Sequence, residues 1–192
     1  MSYSPSTALW TLTRRESAKI FRVWPQTLLP AVINTTLYFI IFGNLMGQRI
    51  GTIENLSYST YIAPGLIMLS VITNSYGQVS GGFYFSRFIK YIEEMLVSPM
   101  SDALIVTGFI LSGMVRGIIC ATLVTTVAAC FVPLTCAHPA ILMAVVLLAT
   151  MMFSMTGFLN GLYANDFDDI SIIPTCVLTP LTYLGGIFYS IT

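Results

Sequence analysis

The chain has 192 residues and no net charge at pH 7, and it is 56% hydrophobic and only 8% charged. Because an ordinary soluble domain carries about 25% charged residues, this composition excludes a water-soluble fold and predicts an all-α, polytopic bundle of membrane helices. Eight basic residues are balanced by eight acidic ones, which leaves no polycationic surface, so nucleic acid is not an expected partner.

The first predicted element is an amphipathic helix within residues 1–24. Arg15, Lys19 and Arg22 are spaced i, i+4, i+7 and therefore share one helix face. A basic face of this kind binds at a membrane interface. A cleaved signal peptide is the alternative, but the next apolar run is too long for one and lacks a small-residue cleavage site. We therefore expect residues 1–24 to be retained as an interfacial helix.

Five apolar runs follow, and each is long enough to cross a hydrocarbon core of about 30 Å as a helix of about 20 residues. They cover approximately residues 25–46, 61–82, 102–132, 140–163 and 170–191. Basic residues favour the cytoplasmic side of a membrane. With the N-terminus inside, the outer loops contain only Arg49, whereas the cytoplasmic segments contain Arg14, Arg15, Lys19, Arg22, Arg87 and Lys90. We therefore predict a cytoplasmic N-terminus and a transmembrane domain over residues 25–192.

Residues 84–100, between the second and third spans, are predicted to form a cytoplasmic amphipathic helix. At 3.6 residues per turn, Arg87, Lys90 and Glu94 share one face, while the apolar face contains Phe85, Phe88, Ile89, Ile92 and Leu96. Lys90 and Glu94 support the helix as an i, i+4 pair, and Ser98-Pro99 ends it. Such a helix either links two spans along the membrane surface or docks a partner that does the chemistry.

Arg116 is the one charged residue inside an apolar run, and an ionisable residue in that position marks a paired or functional site by default. We predict an intramembrane ion pair between Arg116 and Asp166, Asp168 or Asp169, which lie on the same side of the membrane. The alternative is that the Arg116 side chain snorkels to the cytoplasmic headgroups.

Polar and small residues at membrane depth form two further patterns. The second span contains Asn74, Ser75, Tyr76 and Gln78, and the fifth contains Thr175, Thr179 and Thr182 beside Pro174 and Pro180. A broken, hydroxyl-bearing helix can form the wall of a solute path. Glycine pairs spaced four apart occur in the first four spans, at Gly43/Gly47, Gly77/Gly81, Gly113/Gly117 and Gly157/Gly161. Such pairs either close one bundle or join two protomers.

Catalytic signatures are missing from the sequence. There is no G-x-x-x-x-G-K-[ST] motif, so the chain cannot hold ATP phosphates as a P-loop does. Neither G-x-S-x-G nor H-E-x-x-H occurs, which argues against an intramembrane hydrolase. The span interiors contain no acidic residue, which weakens an ion-coupled carrier. The four cysteines follow no metal-ligand spacing, so no cofactor or metal is expected in this chain.

Three segments resemble the permease subunits of bacterial type-2 ABC exporters. They are APGLIMLSVITNSY from Ala63, YIEEMLVSPMSDALIVTG from Tyr91 and DDISIIPTCVLTPLTYLGGIFYS from Asp168. The resemblance covers nearly the whole chain and is strongest with small inner-membrane permeases of unknown substrate. It implies a homodimeric permease in the bacterial inner membrane, surrounded by lipid, that binds two copies of a soluble ATPase subunit. That partner subunit would hold ATP and Mg.

By the same resemblance, residues 1–24 form a connecting helix, and the coupling segment contains Arg87, Lys90, Glu93, Glu94 and Leu96. The implied solute path is lined by Asn74, Tyr76, Thr175, Thr179 and Thr182. Family members normally have six spans, the last one after the segment that matches LGGIFYS. That span is missing here, so the C-terminus is expected outside. The alternative functions are an ion-coupled secondary carrier and a membrane anchor without transport of its own.

Overall fold

The structure of the chain is a computed structural model that describes residues 5–46, 52–53, 56–98, 100–133 and 138–185. The described residues are helical apart from one short antiparallel pairing of β1 (Thr52–Ile53) with β2 (Leu56–Ser57). The helices are α1 (Pro5–Arg22), α2 (Trp24–Thr27), α3 (Leu29–Tyr38), α4 (Tyr58–Phe88), α5 (Tyr91–Val97), α6 (Asp102–Phe131), α7 (Pro139–Tyr163), α8 (Phe167–Ile173) and α9 (Thr179–Leu184). The predicted all-α helix bundle is confirmed.

Two stretches are wound more widely than an α-helix. π-helical turns extend α3 through Phe39–Met46 and join α8 to α9 through Pro174–Leu178. Proline has no N–H to donate to the helical ladder, so Pro174 and Pro180 favour such irregular winding. The fifth predicted span is therefore built from short pieces, and its last part, residues 186–191, lies outside the described residues.

Three described helical stretches are long and apolar enough to cross a membrane: Trp24–Phe42, α6 and α7. They correspond to the first, third and fourth predicted spans. The second predicted span lies within α4, which has 31 residues and is therefore about 46 Å long, more than a crossing requires. Serines, Asn74 and Gln78 make α4 more polar than the other long helices, and it is the helix that packs against both α6 and α7.

The boundaries predicted for the amphipathic helix are wrong. Its first part continues α4, and the chain then turns at Lys90, whose backbone is left-handed with φ 58°. Only Tyr91–Val97 form a separate helix, so Lys90 precedes α5 and does not pair with Glu94 along it. The physical reason is that Arg87, which was placed on the solvent face, finds carbonyl acceptors at the C-terminal end of α7. Because the charge has acceptors there, the spanning helix α4 can continue through Arg87.

Glycines allow the long helices to approach closely. A Cβ on Gly157 would lie 2.5 Å from the Tyr76 carbonyl oxygen, and one on Gly161 would lie 2.8 Å from that of Ser80. The pairs Gly113/Gly117 and Gly157/Gly161 therefore pack helices within one chain. A Cβ on Gly77 or Gly81 would meet no described atom within 4 Å, so this pair lies on an uncovered face of α4. Gly47 lies outside the described residues.

One apolar cluster holds α5 against the spanning helices. It joins α1, α4, α5 and α6 and consists of Leu12, Val79, Phe83, Met95, Ile105 and Phe109. The Phe83 ring packs edge-on against Phe109, with the ring centroids 5.3 Å apart. Arg15 of α1 adds a cation–π contact to α5, because its guanidinium lies 3.8 Å from the centre of the Tyr91 ring. The short α5 helix is thus fixed on its inner side.

Candidate functional site

A cavity of about 370 Å³ lies between the N-terminal helices, α4, α6 and α9. This volume is within the range of about 300–1,000 Å³ that small-molecule sites occupy. The first wall is formed by Gln26, Thr27, Pro30, Ala31, Asn34, Thr35 and Tyr38, and the opposite walls by Leu66, Leu69, Ser70, Thr73, Asn74, Arg116, Thr179 and Thr182. The lining therefore combines hydroxyls, amides and one guanidinium with apolar surface.

The α4 wall follows from helical periodicity. Leu66, Leu69, Ser70, Thr73 and Asn74 are spaced i, i+3, i+4, i+7, i+8, so they form one stripe along the helix. The stripe is apolar at its N-terminal end and polar at its C-terminal end. Thr73 donates a hydrogen bond to the Leu69 carbonyl (2.8 Å) and Asn74 to that of Ser70 (2.9 Å), so these side chains are held against their own helix.

Of the described residues that line the cavity, Arg116 alone carries a charge. It lies at the middle of α6, and its guanidinium reaches across to α4, where it donates to Gln78 Oε1 (2.8 Å) and Asn74 Oδ1 (3.1 Å). A third bond, of 3.3 Å, goes to the carbonyl oxygen of Thr27. All three acceptors are neutral. The side chain is therefore held within the bundle by amide and carbonyl oxygens, and the snorkelling alternative does not describe its position.

The predicted ion pair between Arg116 and an aspartate is wrong. Among the described residues, the one salt bridge joins Lys19 to Glu16, with a distance of 2.6 Å between Nζ and Oε1. Asp169 instead accepts hydrogen bonds from the backbone N–H groups of Asn165 (2.9 Å) and Asp166 (3.3 Å) at the start of α8. The physical reason is that unpaired N–H groups at a helix N-terminus attract a carboxylate, whereas Arg116 finds its acceptors on α4 and at Thr27.

Three of the predicted path residues meet in this cavity, and two do not. Asn74, Thr179 and Thr182 line it. Tyr76 is only 1% exposed and belongs to the face of α4 that packs against α7, and Thr175 is exposed outside the cavity. Sequence reasoning missed the first wall, although Asn34 and Thr35 are polar residues inside an apolar run. The same criterion that singled out Asn74 would have found them.

The predicted coupling residues lie at the other end of α4. On α5, Glu93, Glu94 and Leu96 are exposed, whereas Met95 between them is buried in the apolar cluster. Leu96 is 58% exposed and Val97 is 89% exposed. α5 therefore presents two carboxylates next to two uncovered apolar side chains. Lys90 is also exposed, at the turn that precedes them.

Arg87 joins the end of α4 to the turn between α7 and α8. One of its terminal nitrogens donates to the carbonyl oxygens of Gly161 (2.9 Å) and Leu162 (2.6 Å) and, more weakly, to that of Ala164 (3.3 Å). The last carbonyls of a helix have no partner within it, and they carry the negative end of the helix dipole, so a cation is stabilised there. Arg87 therefore caps the C-terminus of α7.

The same junction is closed by aromatic contacts. The Tyr84 hydroxyl donates to the Asn165 carbonyl oxygen (2.9 Å), and the Phe167 ring at the start of α8 packs edge-on against both Tyr84 (4.9 Å) and Phe88 (5.3 Å). The end of α4 is thus fixed to the start of α8. Since α8 continues through the π-helical turn into α9, these contacts connect the region of α5 with one wall of the cavity.

Comparison with known proteins agrees with this architecture. The sequence profile of a family described as ABC-2 type transporter matches residues 7–192. "Inner membrane transport permease YadH" of Escherichia coli K12 is 49% identical over 186 residues, which cover 96% of this chain and 72% of that protein. The protein of the same name in Shigella flexneri shows the same identity and coverage. No solved structure matches the chain.

Proposed function

Since the chain belongs to the ABC-2 type transporter family and is a transport permease subunit, we propose that it forms the solute path of an exporter powered by a separate ATPase subunit. ATP and Mg would be held by that partner, and this chain would carry out no chemistry of its own. The observation that carries the proposal is the cavity between α3, α4, α6 and α9, with its polar lining and Arg116. Ligand sites of helix bundles occur between helices, as this cavity does, and a solute path needs such a polar-lined space.

The exposed side of α5 supports docking of the ATPase. Glu93 and Glu94 are carboxylates that basic residues of a partner can bind, and the neighbouring Leu96 and Val97 leave apolar surface uncovered. Interfaces commonly combine an apolar centre with a polar rim. Because Met95 is anchored in the cluster of α1, α4 and α6, a force on α5 would act directly on the spanning helices. We therefore assign the coupling role to α5.

Arg87 supports a route from α5 to the solute path. α5 is joined to the end of α4 by the turn at Lys90. At that end of α4, Arg87 donates hydrogen bonds to carbonyl oxygens of α7. The junction also fixes the start of α8, and α9 beyond it carries Thr179 and Thr182 of the cavity wall. The proposed movement is a shift of α8 and α9 relative to α3 when the ATPase closes.

A homodimer and an inner-membrane location complete the proposal. Gly77 and Gly81 form a small-residue pair on an uncovered face of α4, and such pairs let helices of two protomers approach closely. The relatives are inner membrane permeases by name, and the chain's own helices are long and apolar enough to span a bilayer. The distribution of basic residues favours a cytoplasmic N-terminus, which places α1, α5 and the Arg87 junction on the side where ATP is available.

The proposal is tested by measuring how strongly the stimulation of ATP hydrolysis depends on α5. The chain is co-expressed with a candidate P-loop ATPase subunit, purified as a complex and reconstituted in proteoliposomes. We expect the ATPase to copurify and its hydrolysis rate to rise with the permease present. The double variant Glu93→Ala, Glu94→Ala should reduce that stimulation about tenfold, because exposed charges at an interface govern docking.

Two comparisons give this experiment its controls. The variant Glu93→Gln, Glu94→Gln keeps the shape of both side chains, so a loss in this variant as well identifies charge as the cause. Stimulation that is unchanged in both variants would refute the coupling role of α5. Transport that proceeds without any ATPase and stops on addition of a protonophore would refute the exporter and favour a secondary carrier.

A further inference from the structure

Arg116 carries a positive charge for which the described structure offers no negative partner. The described residues that line the cavity include no Asp or Glu, and the three acceptors of the guanidinium are an amide of Asn74, an amide of Gln78 and a backbone carbonyl. Neutral acceptors satisfy hydrogen bonds, but they do not cancel the charge. A cation that is removed from water and not neutralised is costly.

We propose that the cavity binds the anionic group of its solute, a phosphate or a carboxylate, against Arg116. The proposal rests on the proposed function, because it treats the cavity as the place where the solute binds. It narrows the transported class to solutes that carry a negative charge. The neutral amides of Asn74 and Gln78 then have a defined role, which is to orient the guanidinium without neutralising it.

The geometry leaves one donor of the guanidinium free for such a group. Arg116 Nη2 bonds to both Asn74 and Thr27, whereas Nη1 has two N–H groups and bonds only to Gln78, so one N–H of Nη1 remains for the ligand. A charge-assisted N–H···O bond of this kind is roughly twice as strong as a neutral one. Thr179 and Thr182, on the facing wall, add hydroxyl oxygens at the same cavity, and their O–H groups donate to backbone carbonyls.

The rest of the cavity indicates what the anionic group is attached to. At about 370 Å³ the cavity is several times larger than a single phosphate ion requires, and its α4 wall becomes apolar towards Leu66 and Leu69. A solute that fills the site therefore carries its charge at one end and an apolar or uncharged part at the other. A membrane lipid with an anionic headgroup and a free organic anion share this chemistry.

A purely structural role for Arg116 makes a different prediction. If the residue served only to tie α6 to α4, its partners would best be carboxylates, because a buried cation that gains a charged acceptor is stabilised more than one that gains an amide. Converting Asn74 to Asp would then strengthen the tie and leave ligand binding unaffected. If Arg116 binds an anion, the same substitution places a carboxylate where the ligand's charge must act.

The test uses the full chain without any ATPase, purified in a neutral detergent and studied by native mass spectrometry. It is titrated separately with inorganic phosphate, with phosphatidylglycerol and with the zwitterionic phosphatidylcholine. We expect the wild-type chain to bind phosphate, phosphatidylglycerol or both more tightly than phosphatidylcholine. Arg116→Gln and Asn74→Asp should each weaken that binding at least about tenfold, since a charge-assisted hydrogen bond is lost or competed for.

The control is Arg14→Gln, which removes the same charge from an exposed position on α1 and should bind like the wild-type chain. If Arg116→Gln does not fold, Asn74→Asp decides, because it keeps the shape of the side chain and retains the guanidinium. Binding by phosphate alone identifies a free anion as the solute, and binding by phosphatidylglycerol alone identifies a lipid headgroup.

The proposal is overturned if wild-type binding shows no preference for the anionic ligands. It is also overturned if Asn74→Asp binds as tightly as the wild-type chain, or if Arg14→Gln loses as much as the cavity variants. Because the assay contains no ATPase, a negative result here leaves the ATPase coupling standing. Conversely, if the chain binds anions but recruits no ATPase, only the proposed exporter function is refuted.

Discussion

The two faces of α4 have similar side chains but opposite surroundings. On the α7 side, Ser80 and the backbone of Tyr76 meet the glycines of α7 at distances that leave no room for a methyl group. On the α3 side, Ser70 and Asn74 border a cavity. The difference is set by what faces α4, because the glycines of α7 let the two backbones approach, whereas the space towards α3 stays open and Arg116 of α6 reaches into it. Small polar residues alone therefore do not distinguish a packed face from a solute-binding one.

Gly157→Ala tests the packed face and should have the largest effect. The added methyl would lie 2.5 Å from the Tyr76 carbonyl oxygen, which is backbone and cannot rotate away. We expect a loss of about 1–3 kcal/mol in the free energy of unfolding, as overpacking typically costs, despite the better helix propensity of alanine. Thermal unfolding in detergent measures it.

The matched control for Gly157→Ala is Gly77→Ala, where the methyl meets no described atom within 4 Å. That substitution should leave the stability of the monomeric chain unchanged or raise it slightly, because alanine is the better helix former and the protomer contact proposed for Gly77 is absent in the monomer. Equal melting temperatures for the two variants would show that α4 and α7 are not in close contact at Gly157.

Arg87→Met addresses the packed face at the C-terminal end of α4 and should have an intermediate effect. The substitution keeps a long side chain but removes the donors to the Gly161 and Leu162 carbonyls. Because Arg87 is exposed to solvent, we expect only about 1 kcal/mol of stability to be lost. Proteolysis between α7 and α8 should also become faster, since the turn loses its tie to α4. The exposed Arg14, changed to Met, serves as the control and should behave like the wild-type chain in both measurements.

Thr182→Val probes the cavity face and should have the smallest effect on stability. Its hydroxyl donates to the Thr179 carbonyl of the same helix, so the fold changes by no more than about 0.5 kcal/mol. We expect the dissociation constant for the anionic ligand to rise by no more than about threefold, because the hydroxyl can donate to the ligand only if it releases the Thr179 carbonyl. A loss of folding comparable to that of Gly157→Ala would contradict the assignment of this face to a cavity.

The sequence predicted α6 and α7 nearly to the residue because each is an uninterrupted apolar run with a polar or proline-containing end. The prediction failed at the end of α4, because a charged residue such as Arg87 usually indicates a surface position. The acceptors of Arg87 are carbonyls of α7, more than seventy positions along the chain, and no local pattern reports them. Tertiary contacts, not propensity, decided that boundary.

For a related reason, only part of the site was predicted. Charge rules favour a carboxylate for Arg116, yet its partners are the amides of Asn74 and Gln78, which were recognised as polar residues but not as its acceptors. Asn74 and Tyr76 were both placed on the solute path, although residues two positions apart on a helix point in very different directions. Periodicity separates the two residues, but only the packing of α7 against α4 shows which one is enclosed.

The π-helical turn at Pro174–Leu178 gives one wall of the cavity a particular property. The turn contains an extra residue relative to regular winding, and the Thr179 hydroxyl donates to the Pro174 carbonyl across it (2.9 Å). If this turn had regular α-helical hydrogen bonds, the residues after it would be shifted by one position. That shift corresponds to a rotation of about 100° around the helix axis. Thr182 would then leave the space opposite Arg116. Which side chains line the cavity thus depends on how tightly five residues outside it are coiled.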